Sequence, residues 1–193
     1  MPFWTENTVD PKRQYRFQAF LPYLGDAGCT WFIKSVGKPN LSISEASHEY
    51  LNHTFYYPGR ASWNTISITL VDPVEPDAAA IMMSALEDAG YKVPSSDQSK
   101  STMSKSNATD RLGEVRIKQF DGTGENILEE WILKNAWIKN VSLGDLDYSG
   151  DGLSEVTIEI RYDWAIMESH GAVTNSSTVG SARSKDEGIF KPV

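Results

Sequence analysis

A chain of 193 residues with 40% hydrophobic content can bury roughly 70% of its unfolded surface in one domain, without cross-links to hold it. The net charge of −8, from 18 Lys+Arg against 26 Asp+Glu, speaks against tight wrapping of nucleic acid, which takes clustered cations. Cys29 is the sole cysteine, which excludes an intramolecular disulfide and a thiolate metal cluster and fits synthesis in a reducing cytoplasm.

Met1 to Asp10 has neither the basic nor the apolar region of a secretory leader, and no apolar run nears the roughly 20 residues of a membrane span, so a soluble protein is expected. Residues 1–14 read as a polar lead, 15–165 as one β domain and 166–193 as a C-terminal extension rich in Gly, Ser, Thr and Asn. Tyr15 to Leu24 predicts a first strand with Phe17, Ala19 and Leu21 on one side, and Thr30 to Val36 a second with Trp31 and Ile33 in phase. The turn Gly25 to Gly28 between them predicts a hairpin. Leu41 to Ser47 is a short strand or an extended loop. Tyr50 to Tyr57, the turn chemistry of Pro58-Gly59, and Trp63 to Val71 then predict one long hairpin over His48 to Val71.

Asp72-Pro73 stops that hairpin, and Pro76-Asp77 opens a helix to Ala89 with Gly90 as its stop. Ile81, Met82, Ala85 and Leu86 form its apolar stripe, suited to covering the sheet. Ser95 to Asp110 offers almost nothing to bury and predicts a mobile loop. Strands resume at Gly113 to Phe120, Ile127 to Val141 and Ser154 to Trp164. The last is the cleanest: Val156, Ile158, Ile160, Tyr162 and Trp164 alternate with Glu155, Thr157, Glu159, Arg161 and Asp163. The expected fold is mainly β with one helix, an antiparallel sandwich or barrel-like domain with exposed sheet edges that need protection or partners.

No catalytic constellation emerges. Asp145, Asp147, Ser149 and Asp151 recur at alternate positions like a calcium loop, but Val156 stands where a closing Glu belongs, so the run reads as a polar turn. His48 and His53 fall on opposite faces of a strand and share no metal; His170 is remote in sequence. Cys29 has no adjacent cation to activate it. Glu129 and Glu130 are adjacent and point apart, so they cannot flank one glycosidic bond. Gly122-Thr123-Gly124 is a turn, with no Lys-Ser/Thr after it to make a phosphate loop. No cofactor, metal or enzymatic activity is expected.

The order Trp137-x-x-Asn140-Val141, Leu146-Asp147-Tyr148, Glu155 and Tyr162-Asp163-Trp164 resembles the tail tube proteins of contractile-tailed bacteriophages. Phe17 to Leu24 followed by Gly25, and Trp63-x-x-Ile66-x-Ile68 leading to Asp72, resemble the same family's opening strand and the strand before its helix. The resemblance implies a virion structural subunit, assembled in the host cytoplasm, that forms stacked hexameric rings. Strands from each copy would complete an inner β-barrel through which DNA leaves without specific binding. Implied partners are other copies, the tail sheath, a baseplate tube initiator and a tape-measure protein. The long hairpin, with His48, Tyr56, Pro58, Gly59 and Trp63, is the expected interlock between copies. Glu155, Glu159, Arg161 and Asp163 line the lumen, face the outer wall, or simply keep an exposed strand face solvated. Two other classes compete: the tube of a type VI secretion system or tailocin, and a β-rich ligand-binding or hydrolytic domain.

Overall fold

The computed structural model describes residues 11–24, 29–75, 77–92 and 102–169. Residues 1–10, the turn Gly25 to Gly28, Pro76, the first part of the Ser95 to Asp110 segment, His170 and the extension beyond it lie outside the described residues, as does the side chain of Cys29.

The strands of the sandwich form because each has one face of apolar side chains that can be buried together, whereas Leu41–Tyr50 and His53–Trp63 pair with both faces exposed. In chain order the strands are β1 (Phe17–Phe20), β2 (Ile33–Val36), β3 (Leu41–Tyr50), β4 (His53–Trp63), β5 (Ile66–Val71), β6 (Val115–Phe120), β7 (Ile127–Lys134), β8 (Trp137–Ser142), β9 (Glu155–Arg161) and β10 (Trp164–Ser169). Two antiparallel four-stranded sheets, ordered β1-β6-β7-β10 and β2-β5-β9-β8, enclose one core, and β3 and β4 form a separate two-stranded arm. Ile68, Leu70, Val156, Ile158 and Ile160 of the second sheet meet Val115, Ile117, Leu133 and Ala165 of the first, all of them buried. The mainly β, antiparallel fold read from the sequence is the one found.

Helix α1 (Ala78–Asp88) follows its predicted bounds closely. Asp77 caps it through Ala80 N at 2.8 Å, and Asp72 Oδ1 accepts from Ala78 N (3.0 Å) and Ala79 N (3.3 Å). Gly90 leaves it at φ +113, where a Cβ would sit 2.8 Å from the Thr102 carbonyl oxygen. Met82 and Ala85 reach the core, with Ile81 and Leu86 packed against it.

A second helix departs from expectation. α2 (Lys105–Leu112) occupies the end of the segment read as a loop, capped by Ser104 through Asn107 N at 3.2 Å. It buries only Ala108 and Leu112, too narrow a stripe to stand out against Ser, Lys, Asn and Asp.

Three strand assignments also change. β1 and β2 do not make a hairpin: β1 pairs with β6 and β2 with β5, in different sheets, and short 3-10 segments lie between them. Trp31, expected in phase with Ile33, falls in the second of these and is exposed, whereas Ile33 is buried. The Ile127 to Val141 run breaks at Asn135, at φ +54, so β7 and β8 belong to opposite sheets. The Ser154 to Trp164 run breaks in the same way at Tyr162-Asp163. Both breaks send the chain across the sandwich, a change of direction to which the apolar alternation of the strand itself carries no clue.

The hairpin predicted over His48 to Val71 does not form: its return strand, β5, lies in the second sheet between β2 and β9, and the hairpin found pairs β4 with β3 instead. It folds over at Leu51-Asn52, between Tyr50 and its partner His53. Pro58-Gly59 lies inside β4, where the register shifts between Ile43 and Glu45. A bulge uses the same residue chemistry as a turn: Pro58 has no ladder N–H to lose, and Gly59 approaches Ser44 so closely that a Cβ would sit 2.4 Å from Ser44 Oγ.

Candidate functional site

Among the described residues no three of His, Cys, Asp or Glu gather where they could hold a metal ion. Asp147 instead folds its own loop, accepting from Ser149 N (3.0 Å) and Ser149 Oγ (2.8 Å), which holds its carboxyl below the usual range. Asp121 does the same around Gly122-Thr123-Gly124: hydrogen bonds from Asn126 and Thr123 bring its pKa to about 2. No helix of the described residues is long and apolar enough to cross a membrane. The surfaces that stand out are built for contact.

The β3–β4 arm is one such surface. Ile43, Tyr50, Leu51, Phe55, Tyr56 and Tyr57 are all exposed on it. A two-stranded ribbon is marginal alone, and so much exposed aromatic surface marks an interaction site. Its root is firmly anchored. Trp63 packs against the core with its ring centroid 5.9 Å from that of Tyr162, and Asn64 Nδ2 donates to Asn40 Oδ1 (2.6 Å) and Ser42 Oγ (2.7 Å). His48, Tyr56, Pro58 and Gly59 therefore share one arm, with Trp63 at its base. Ile43, Tyr50, Leu51, Phe55 and Tyr57 were not singled out in the sequence, although their density over the fifteen positions from Ile43 to Tyr57 was a visible signal.

The outer face of the second sheet is the other surface. Glu155 pairs with Lys34, Glu159 with Lys139 (3.1 Å), and Thr69 meets Thr157 at 3.5 Å between Oγ1 atoms. Arg161 continues the row beside Trp137. Asp163 leaves this face. It sits at the corner between β9 and β10, accepting from Lys105 Nζ (2.6 Å) and Asn135 Nδ2 (2.8 Å), and the Lys105 ammonium chiefly holds its carboxyl below the usual range. The corner thus ties both crossings to α2.

The first sheet faces outward differently. Phe20, Ile132 and Ile166 lie in register with Arg116, while Glu130 stands 3.5 Å from Arg116 and 3.7 Å from Lys118. Glu129, on the opposite side of β7, is bound by Lys12 (2.6 Å), Lys38 (2.8 Å) and the indole N–H of Trp131 (2.5 Å). The two glutamates do point apart. Burial pushes the Glu129 pKa up, but the two ammonium groups and the indole outweigh it and bring it to about 2. A Glu in phase with Ile127, Trp131 and Leu133 was the available sign of this buried cluster.

No protein-family model and no curated protein matches the chain. Solved structures do. A chain of the sheath/tube terminator of an extracellular contractile injection system, PVC, in its extended state is 14% identical with a TM-score of 0.59, over 84% of this chain and 99% of that one. A chain of the PVC sheath–tube complex in the extended state is 16% identical with a TM-score of 0.59, over 82% and 92%. A chain of the anti-feeding prophage (AFP) tube-terminating cap is 14% identical at 0.59, over 88% and 99%. The likeness is one of fold. It extends over nearly the whole of each neighbour.

Proposed function

We propose that this chain is a structural subunit of a contractile tail tube, assembling without catalysis into stacked hexameric rings. The observation that carries the reading is the direction of the sheet edges. β2, β5, β9 and β8 are successively antiparallel, so β2 and β8 run in opposite senses at the two edges of one sheet. Copies related by rotation about an axis along the strands bring β8 of one beside β2 of the next in antiparallel pairing. The ladder then continues from copy to copy and closes without an exposed edge. The second sheet faces the bore in this reading. Its serines and threonines, with the Lys34–Glu155 and Lys139–Glu159 pairs, leave little cationic charge beyond Arg161 to hold a passing polyanion. The exposed rim of the first sheet's outer face, where Arg116 reaches solvent over the buried Glu130 and Ile132, suits an enclosing sheath. The arm reaches the adjacent ring, and the tube ends meet a baseplate initiator, with a tape-measure protein in the lumen.

Electron microscopy of the purified protein across a concentration series tests the reading. Six-fold rings or hollow tubes are expected; a monomer at every concentration would count against it. In a bacteriophage the bore conducts DNA during ejection. The similarity to PVC and AFP chains favours a second reading, a tube of an injection machine that carries no genome. Nuclease-resistant DNA in intact particles separates the two.

A further inference from the structure

The sandwich is open on the side where β1 lies over β2. A cleft of about 760 Å³ enters there, lined by Phe17, Val36, Ile117 and Trp131, with the exposed Tyr15 beside them. Lys12 and Lys38 stand at this cleft, and both are spent on the single carboxylate of Glu129. Their side chains are 49% and 47% exposed while that of Glu129 is 7% exposed. Two accessible ammonium groups on one buried carboxylate leave, among the described residues, a positive charge unbalanced at an apolar opening. Such a site suits a segment that carries both carboxylates and large apolar side chains.

The loop 143–154 is such a segment. It holds Asp145, Asp147 and Asp151 with no Lys or Arg, and its Leu146, Tyr148 and Leu153 project almost wholly into solvent. Its position matches as well. The loop leaves the end of edge strand β8, and the cleft opens along edge strand β2, the two edges that ring closure brings together. Twelve residues folded back on themselves reach roughly 20 Å, more than the roughly 13 Å length of β2.

We infer that, within a ring, the inter-sheet cleft of one copy receives the 143–154 loop of its neighbour. Tyr148 enters among Phe17 and Trp131, and the aspartates meet Lys12 and Lys38. The inference rests on the ring reading and adds a side-by-side contact distinct from the arm.

Cross-linking tests it. In a Cys29→Ser background, Tyr148→Cys combined with Tyr15→Cys is treated with a short bismaleimide after assembly. A ladder of covalent oligomers from the double variant, with none from either single variant, is the expected result. Normal tubes without a ladder overturn the assignment while leaving the tube reading intact. So does a ladder obtained instead from Tyr50→Cys with Tyr15→Cys, which would place the arm in the cleft. Failure of the unmodified protein to assemble removes both. Independently, Asp145→Lys with Asp151→Lys, which spares the Asp147 hydrogen bonds that shape the loop, should raise the threshold concentration for assembly at least tenfold at an unchanged melting temperature; an unchanged threshold overturns the contact.

Discussion

Glu129 shows how a single side chain can fasten distant parts of the chain. It draws Lys12, ahead of β1, and Lys38, after β2, onto β7. Its folded pKa of about 2 lies below the ordinary 4.5, so its contribution is present above pH 4.5 and is lost as the pH falls towards 2. Glu129→Gln should therefore cost about 1–3 kcal/mol at pH 7. Urea denaturation should show the gap between variant and parent narrowing steadily between pH 4.5 and 2; a constant gap would mean that charge is not the cause. At the start of α1, Asp77→Ala should cost about 1 kcal/mol because Ala80 N loses its acceptor. Asp72→Ala should cost at least as much, since two N–H groups in a part-buried place lose theirs. Thermal melts of the two variants check the order. By contrast, Lys34–Glu155 and Lys139–Glu159 are surface pairs, each worth under about 1 kcal/mol.

Among the elements, the arm and the sandwich should separate cleanly under mutation. None of the core side chains comes from within Leu41–Ser62, and Trp63 closes the root. Replacing residues 46–57 with a two-residue turn should leave the melting temperature within about 2 °C and abolish ring stacking, read by electron microscopy. Gly59→Val, which forces a Cβ against Ser44, should disturb the arm with the same selectivity. The arm also shows what the sequence disclosed. The strand character of β4, most of the sandwich strands and α1 followed from alternation and capping, because those signals are local; the pairing of β4 with β3 and the strand β10, which runs to Ser169 into the segment read as an extension, did not. Nor did the turn of the arm, since Pro58-Gly59 serves a bulge as readily as a reversal. The assignment of β1 and β2 to opposite sheets, and the sheet changes at Asn135 and Asp163, depend on pairing with strands far along the chain. α2 was hidden because it buries just two side chains. The cleft was hidden for the same reason as the crossings: Lys12, Lys38 and Glu129 meet only after both sheets have formed.

At the scale of the whole molecule, association should be legible in stability. On the proposed ring reading, assembly takes up the folded chain and not the unfolded one, so the melting temperature of the parent should rise with protein concentration. That of the arm-shortened variant should rise less, because it keeps contacts within a ring and loses those between rings. Calorimetry over a hundredfold concentration range checks this. One last consequence follows from the two crossings. β7 passes to β8, and β9 to β10, through two residues each, at the corner fixed by Asp163, whereas β1 and β2 are joined by a stretch of twelve. The molecule is bound like a book, with a stitched spine along β8 and β10 and a loose fore-edge along β1 and β2. In isolation the fore-edge is held by the Lys12–Glu129–Lys38 ion pairs and not by short chain crossings, so amide protons there should exchange sooner than those at the spine. Set in a circle, each fore-edge is pressed against the next spine, so that a row of books on a closed shelf holds shut what a single volume does not.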